Sequence, residues 1–190
     1  MTGERPVLIL TGPTGSGKSA LALALAAKFA GTIINADSMQ VYAELRVLTA
    51  RPSPKDEGLV PHRFYGVVPA SERWSVGRWL EAARMEIEAA WQAGRLPVVT
   101  GGTGLYLKAL TEGLSPLPAV SAELCRDLEA LYEQDGGAKF RERLRSFDPQ
   151  AAARLPATDR QRLVRAMAVA RGTGRALTAW HEIHPPRPAL

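Results

Sequence analysis

The chain has 190 residues, 46% hydrophobic and 23% charged, with a net charge of +5 and a pI near 9.7. This suits a globular protein with a real core, or a core plus a small appendage. It excludes an internal disulfide and a thiolate zinc site, because Cys125 is the one cysteine. It argues against a histidine metal centre, because His62, His181 and His184 are scattered, and it contains no apolar run of about eighteen residues that would span a membrane. The start "MTGERPVLIL" is too short for a signal peptide, so a reducing cytoplasm is the expected compartment.

"PVLIL" (6–10) reads as a short buried strand of the parallel kind. Behind it comes "GPTGSGKS", and then "KSALALALAAKF" (18–29), rich in strong helix formers. Leu21, Leu25 and Phe29 recur every four residues as a core stripe, and Gly31 is the expected helix stop. "TIINAD" (32–37) is a second strand. A loop holding Pro52, Pro54 and Gly58 leads to a third, "HRFYGVV" (62–68). Ser75 caps a helix reaching about Ala93, with Leu80, Ala83, Ile87 and Trp91 on its apolar face and Gly94 ending it. "LPVVTGG" (96–102) is another buried strand and turns at once into a short helix (103–113).

This alternation predicts an α/β fold: a P-loop parallel sheet flanked by helices over residues 1–113. "LSPLP" marks a boundary. Residues 114–190 form a second, smaller, all-helical arm, with helices over 121–134, 138–147 and 158–174 and a proline-rich tail. Thr158 and Gln161 have the spacing of a capping box for the last helix. Six arginines and one acidic residue lie between Arg154 and Arg175, a solvated basic face or a nucleic-acid contact.

Gly12, Pro13, Thr14, Gly15, Ser16, Gly17, Lys18 and Ser19 fit G-x-x-x-x-G-K-[ST] at every fixed position, in the required setting of strand before and helix after. Glycines let backbone N–H groups converge on phosphate oxygens, and the helix start adds its positive dipole end. Lys18 supplies a full charge and Ser19 can hold Mg²⁺. Parallel sheets bind ligands at the carboxyl ends of their strands, so loops 12–19, 37–42 and 101–105 are expected to meet. Asp37 then serves as general base, magnesium ligand or plain helix N-cap, and Thr103 as a site residue or an N-cap; spacing leaves these open.

In this order "TGPTGSGKS", "NADSMQVY", "LTARP", "PHR", "GGTGLYLKAL", "EGLSPLP" and "DRQRLVRA" resemble the bacterial tRNA dimethylallyltransferases, up to about Trp180. The resemblance implies transfer of a dimethylallyl group from its diphosphate to N6 of the adenine next to the anticodon in tRNA. The glycine loop would grip the diphosphate with Mg²⁺ as cofactor, and Asp37, Thr103 and Lys18 would be catalytic. Asp37, Ser38, Met39 and Gln40 would line the extruded adenine, and Gln161, Arg162, Leu163, Val164 and Arg165 would form a tRNA-contact segment. Cys125 stands where the family commonly has an arginine near the active site. A monomer is expected, and the resemblance also implies a C-terminal part beyond Leu190 that this chain is expected to lack. A P-loop small-molecule or nucleotide kinase explains residues 12–19 and Asp37 but leaves "GGTGLY" and the arginine helix idle. A truncated, non-catalytic tRNA-binding remnant is the other alternative.

Overall fold

The computed structural model describes residues 5–183, so the proline-rich stretch from His184 lies outside the described residues. The chain divides into two compact units, the first running through Gly113 and the second beginning at Leu114. In the first, β1 (Leu8–Thr11), β2 (Gly31–Asn35), β3 (His62–Arg63) and β4 (Leu96–Gly101) form one parallel sheet in the order β1-β4-β2-β3. Ile33 pairs with Val98 and Ile34 with Val99, so each pair shares a face. Ile33 and Val98 meet Ala22 and Ala26 of α1 (Lys18–Lys28). The opposite side carries α3 (Val76–Gln92), against β2 and β4, and α4 (Gly104–Glu112), against α3.

Several expectations need correction. Leu21 and Phe29 are about half exposed; Ala22 and Ala26 are the buried pair, because a helix lying this close to a sheet seats small side chains there. Helix α1 ends at Phe29 and Ala30 takes φ 49°, while Gly31 opens β2. A Cβ on Gly31 would stand 2.9 Å from Ala26 Cα, so this glycine serves close approach rather than helix termination. The strand expected over 62–68 stops after Arg63, since Phe64 and Gly66 adopt φ of 63° and 64°; Val68 makes only an isolated bridge to Tyr42. On α3, Trp79 is buried and Trp91 is not: Trp79 Nε1 donates to Asn35 O inside the core, whereas Trp91 Nε1 donates to Pro6 O at the surface. The supposed loop after Pro52 contains α2 (Pro54–Leu59), with Ser53 and Asp56 as a complete capping box.

The second unit, among the described residues, is all-helical: α5 (Ala122–Arg145), α6 (Pro149–Arg154), α7 (Arg160–Thr173) and α8 (Leu177–His181). Gly136 breaks α5 with φ 74° and ψ 157°, separating the two helices read from the sequence. Leu128, Phe140, Leu144, Leu163 and Met167 centre its core. Asp148 is wholly buried; it caps α6 through Ala151 N (2.9 Å) and holds Thr178 through N (3.1 Å) and Oγ1 (2.8 Å). The Thr158–Gln161 box does not form. Asp159 is the N-cap of α7, accepting from Arg162 N at 3.1 Å, because an aspartate one residue nearer reaches the free amide first. No helix among the described residues is long and apolar enough to cross a membrane.

Candidate active site

The site is assembled at the carboxyl edge of the first unit's sheet. Gly17 is the N-cap of α1, in the left-handed region at φ 81°, and its carbonyl accepts from Leu21 N at 3.0 Å. Gly15 shares that φ, and a Cβ at either position would meet nothing within 4 Å. The constraint is backbone conformation, which turns successive N–H groups toward one point. Lys18 Nζ donates to Pro13 O at 3.1 Å, folding the ammonium over the loop it belongs to. Pro13, Thr14, Ser16 and Ser19 are exposed, and Gly12 is half-buried.

Three loops converge there. Thr11 pairs with Gly101, and Ala36 N donates to Thr100 O at 2.7 Å, so β4 ends between the glycine loop and the Asp37 loop. A Cβ on Gly102 would lie 3.5 Å from Gly12 O. A Cβ on Gly101 would lie 2.2 Å from Ala36 C and 2.6 Å from Asp37 N, so the backbone of β4 touches the segment carrying Asp37. Thr103 is an N-cap by position, yet its hydroxyl makes no cap bond. Thr103 Oγ1 instead accepts from Ser38 N at 2.9 Å and donates to Ser38 Oγ at 3.3 Å, and Thr103 N donates to Ala36 O at 3.1 Å. Asp37 is half-buried and caps no helix; its Oδ1 accepts from Met39 N at 2.9 Å. Met39 is exposed, and Gln40 is held by Nε2 donating to Thr49 O at 2.8 Å.

Sequence reasoning missed what lies beneath these loops. Asn35 is fully buried and bonds Asp37 on both of its backbone groups. Trp79 Nε1 donates to Asn35 O at 2.7 Å, and its ring stacks on Tyr106 with centroids 4.5 Å apart. Burial first, then the charges of Tyr42 and Asp37, push the Tyr106 phenol up to about 12. Burial, followed by Asp37 and Glu57, raises Tyr65 well above the usual phenol range. Asp37 thus sits among phenols that stay protonated around neutrality. The available sequence signal was Asn35 itself, an amide side chain that follows two isoleucines in "TIIN".

The IPP transferase family model matches residues 40–189, and the isopentenyl transferase model matches residues 5–65. The chain belongs to the IPP transferase family. A tRNA dimethylallyltransferase of Rhodospirillum centenum is 54% identical over 95% of this chain and 57% of its own length. One from Paramagnetospirillum magneticum is 50% identical over 93% of this chain and 56% of its own. The full-length tRNA isopentenylpyrophosphate transferase of Bacillus halodurans superposes with TM-score 0.58 at 30% identity, covering 90% of this chain and 57% of that one. A eukaryotic dimethylallyltransferase acting on tRNA superposes with TM-score 0.79 at 28% identity, over 96% of this chain and 45% of its own. The chain therefore spans little more than half the length of these relatives.

In this IPP transferase chain the segment 161–165 divides by burial. Leu163 and Val164 lie in the core of the helical unit, which withdraws their side chains from any RNA, whereas Gln161, Arg162 and Arg165 are exposed. Arg162 Nη1 reaches Asp159 at 3.2 Å with its side chain 74% exposed, so the pair is weak and easily exchanged. Arg165 has no ion pair among the described residues. Cys125 packs against the core of its own helical unit, half-buried.

Proposed function

We propose that this chain transfers a dimethylallyl group from dimethylallyl diphosphate to N6 of the adenine adjacent to the anticodon in tRNA, as a cytoplasmic monomer. Family membership supports this, and the observation that carries it is the meeting of the glycine loop, Asp37 and Thr103 at one strand edge, with Ser38 N and Thr103 Oγ1 2.9 Å apart. The N6–C1 bond forms, the C1–O bond to diphosphate breaks, and the amine proton passes to the Asp37 carboxylate. Loop amides, the α1 N-terminus and Lys18 stabilise the charge that grows on the departing diphosphate. The adenine amine is a weak nucleophile, and a positioned carboxylate helps by taking its proton. The base must leave its stack to present N6, with Asp37, Ser38, Met39 and Gln40 around it. Gln161, Arg162 and Arg165 supply tRNA contact from the helical unit.

Ser19 is the group that would hold Mg²⁺. Its hydroxyl is exposed on the first turn of α1, a fit for an ion that takes one or two protein oxygens plus substrate phosphates. Held there, Mg²⁺ would supply charge neutralisation to the leaving group.

The test is incubation of unmodified tRNA with labelled dimethylallyl diphosphate and Mg²⁺, followed by nucleoside analysis. Label on the adenosine beside the anticodon is expected; ATP turnover without tRNA, and no label, would replace this reading with a kinase. Asp37→Ala is expected to slow transfer about a hundredfold to ten-thousandfold while tRNA binding survives. A variant that transfers at the wild-type rate removes Asp37 as base.

A further inference from the structure

We propose that Asn35 is a positioning residue for the transfer reaction: its buried carboxamide locks the backbone of Asp37 so that the carboxylate is presented at the strand edge. The inference rests on the function proposed above. Burying a carboxamide in a sheet is unfavourable unless its hydrogen bonds are made. Asn35, the last residue of β2 and 0% exposed, makes three. Its Oδ1 accepts from Asp37 N at 2.8 Å, and its Nδ2 donates to Asp37 O at 2.9 Å and to Phe64 O at 3.0 Å. One side chain therefore takes up both backbone groups of Asp37.

The anchor is itself held. Asn35 O accepts from the indole of fully buried Trp79, which Tyr106 covers from α4. Phe64 keeps φ 63°, unusual for a residue with a side chain, while its carbonyl meets the Asn35 amide. Above this base, Asp37 Oδ1 is restrained by Met39 N, and Oδ2 has no hydrogen bond among the described residues, free to accept a proton. The chemistry demands asparagine. Aspartate keeps the accepting oxygen and loses both donors, and serine is too short to span Asp37 and Phe64 together.

The experiment compares wild type, Asn35→Ser and Asn35→Asp by steady-state transfer and by amide hydrogen exchange over residues 36–40. Val98→Ala, a core truncation in β4, serves as control for general destabilisation. In the Asn35 variants kcat is expected to fall about a hundredfold, with KM for tRNA and for the diphosphate little changed. Val98→Ala should keep kcat wherever it is folded. In an Asp37→Ala background Asn35→Ser should remove nothing more, because it acts through that carboxylate. The amides of Asp37 and Met39 should exchange faster in the Asn35 variants. An unchanged kcat, a fully additive loss in the Asp37→Ala background, or unaltered exchange over 36–40 each overturns the role. Should wild type transfer nothing, the proposed function fails, and the exchange result alone decides whether Asn35 orders Asp37.

Discussion

Gly101→Ala would separate the backbone contact that builds this edge from the chemistry proposed for it. The new methyl would stand 2.2 Å from Ala36 C, 2.3 Å from Ala36 O and 2.6 Å from Asp37 N, all main-chain atoms. Carbon atoms rest about 3.5 Å apart, so the end of β4 and the Ala36–Asp37 segment must part by roughly 1 Å. Two hydrogen bonds lie in the way of that shift, Ala36 N to Thr100 O at 2.7 Å and Thr103 N to Ala36 O at 3.1 Å. Overpacking of this kind costs about 1–3 kcal/mol. For a unit of about a hundred residues each kcal/mol lowers Tm by about 4 °C or more. A displacement of about 1 Å at reacting groups also costs about a hundredfold in rate. Thermal melts followed by transfer assays at a temperature where the variant is folded read the two effects separately. Gly104→Ala supplies the comparison: it opens α4, has ordinary φ, and its Cβ would meet nothing within 4 Å. Its melt should be unchanged or rise, by about 0.4–1 kcal/mol of stability at most. If Gly101→Ala melts like Gly104→Ala, the close approach of β4 to the Asp37 segment is not what organises this edge.

Arg162→Ala should weaken tRNA binding and reduce the slope of log K against log salt by about one, read by filter binding across a salt series; an unchanged slope would exclude phosphate contact there. Alkaline difference spectra should show Tyr106 ionising near 12 and Tyr65 later still. Both phenols have raised folded values, so their contribution to stability is whole below the unfolded phenol range near 10 and is lost as pH climbs toward 12, which melts at pH 9, 10 and 11 will trace. Inorganic pyrophosphate at about a hundred times its Kd should stabilise the protein by about 2.7 kcal/mol. Lys18→Met should abolish most of that shift, while its loss of the exposed bond to Pro13 O should leave the ligand-free melt nearly unchanged.

The parts of the fold legible in the sequence are those where one pattern admits one solution. A glycine loop between an apolar strand and an alanine-rich helix has few alternatives, and the apolar period of α3 picks out Leu80, Ala83 and Ile87 correctly. Helix α1 was harder because nearly every position is apolar. Period alone could not choose between the leucines and the alanines; contact with Ile33 and Val98 did. Helices α2 and α6 hide in stretches whose prolines look like loop. Each proline occupies the first helical turn, behind a capping Ser53 or Asp148, where no backbone N–H is missed. The site loops were foreseeable from the rule that ligands gather at strand ends. Asn35 was not, since its role depends on a carbonyl of Phe64 that only the third strand's early termination brings near.

The chemistry proposed for this edge needs opposite charges close together yet not spent on each other. A cation must face the leaving diphosphate, and a carboxylate must stay free to take a proton. A direct bond between Lys18 and Asp37 would cancel both. The folding of the edge prevents it by giving each group a local partner of its own loop: Lys18 Nζ bonds Pro13 O, and Asp37 Oδ1 bonds Met39 N. Asp37 makes no ion pair among the described residues. The two loops are joined instead through the end of β4, where Gly101 touches the Ala36–Asp37 backbone and Gly102 lies beside Gly12 O. In the proposed reaction Gly15 and Gly17 would shape the anion's cradle, and Gly101 would let β4 touch the backbone that carries the base.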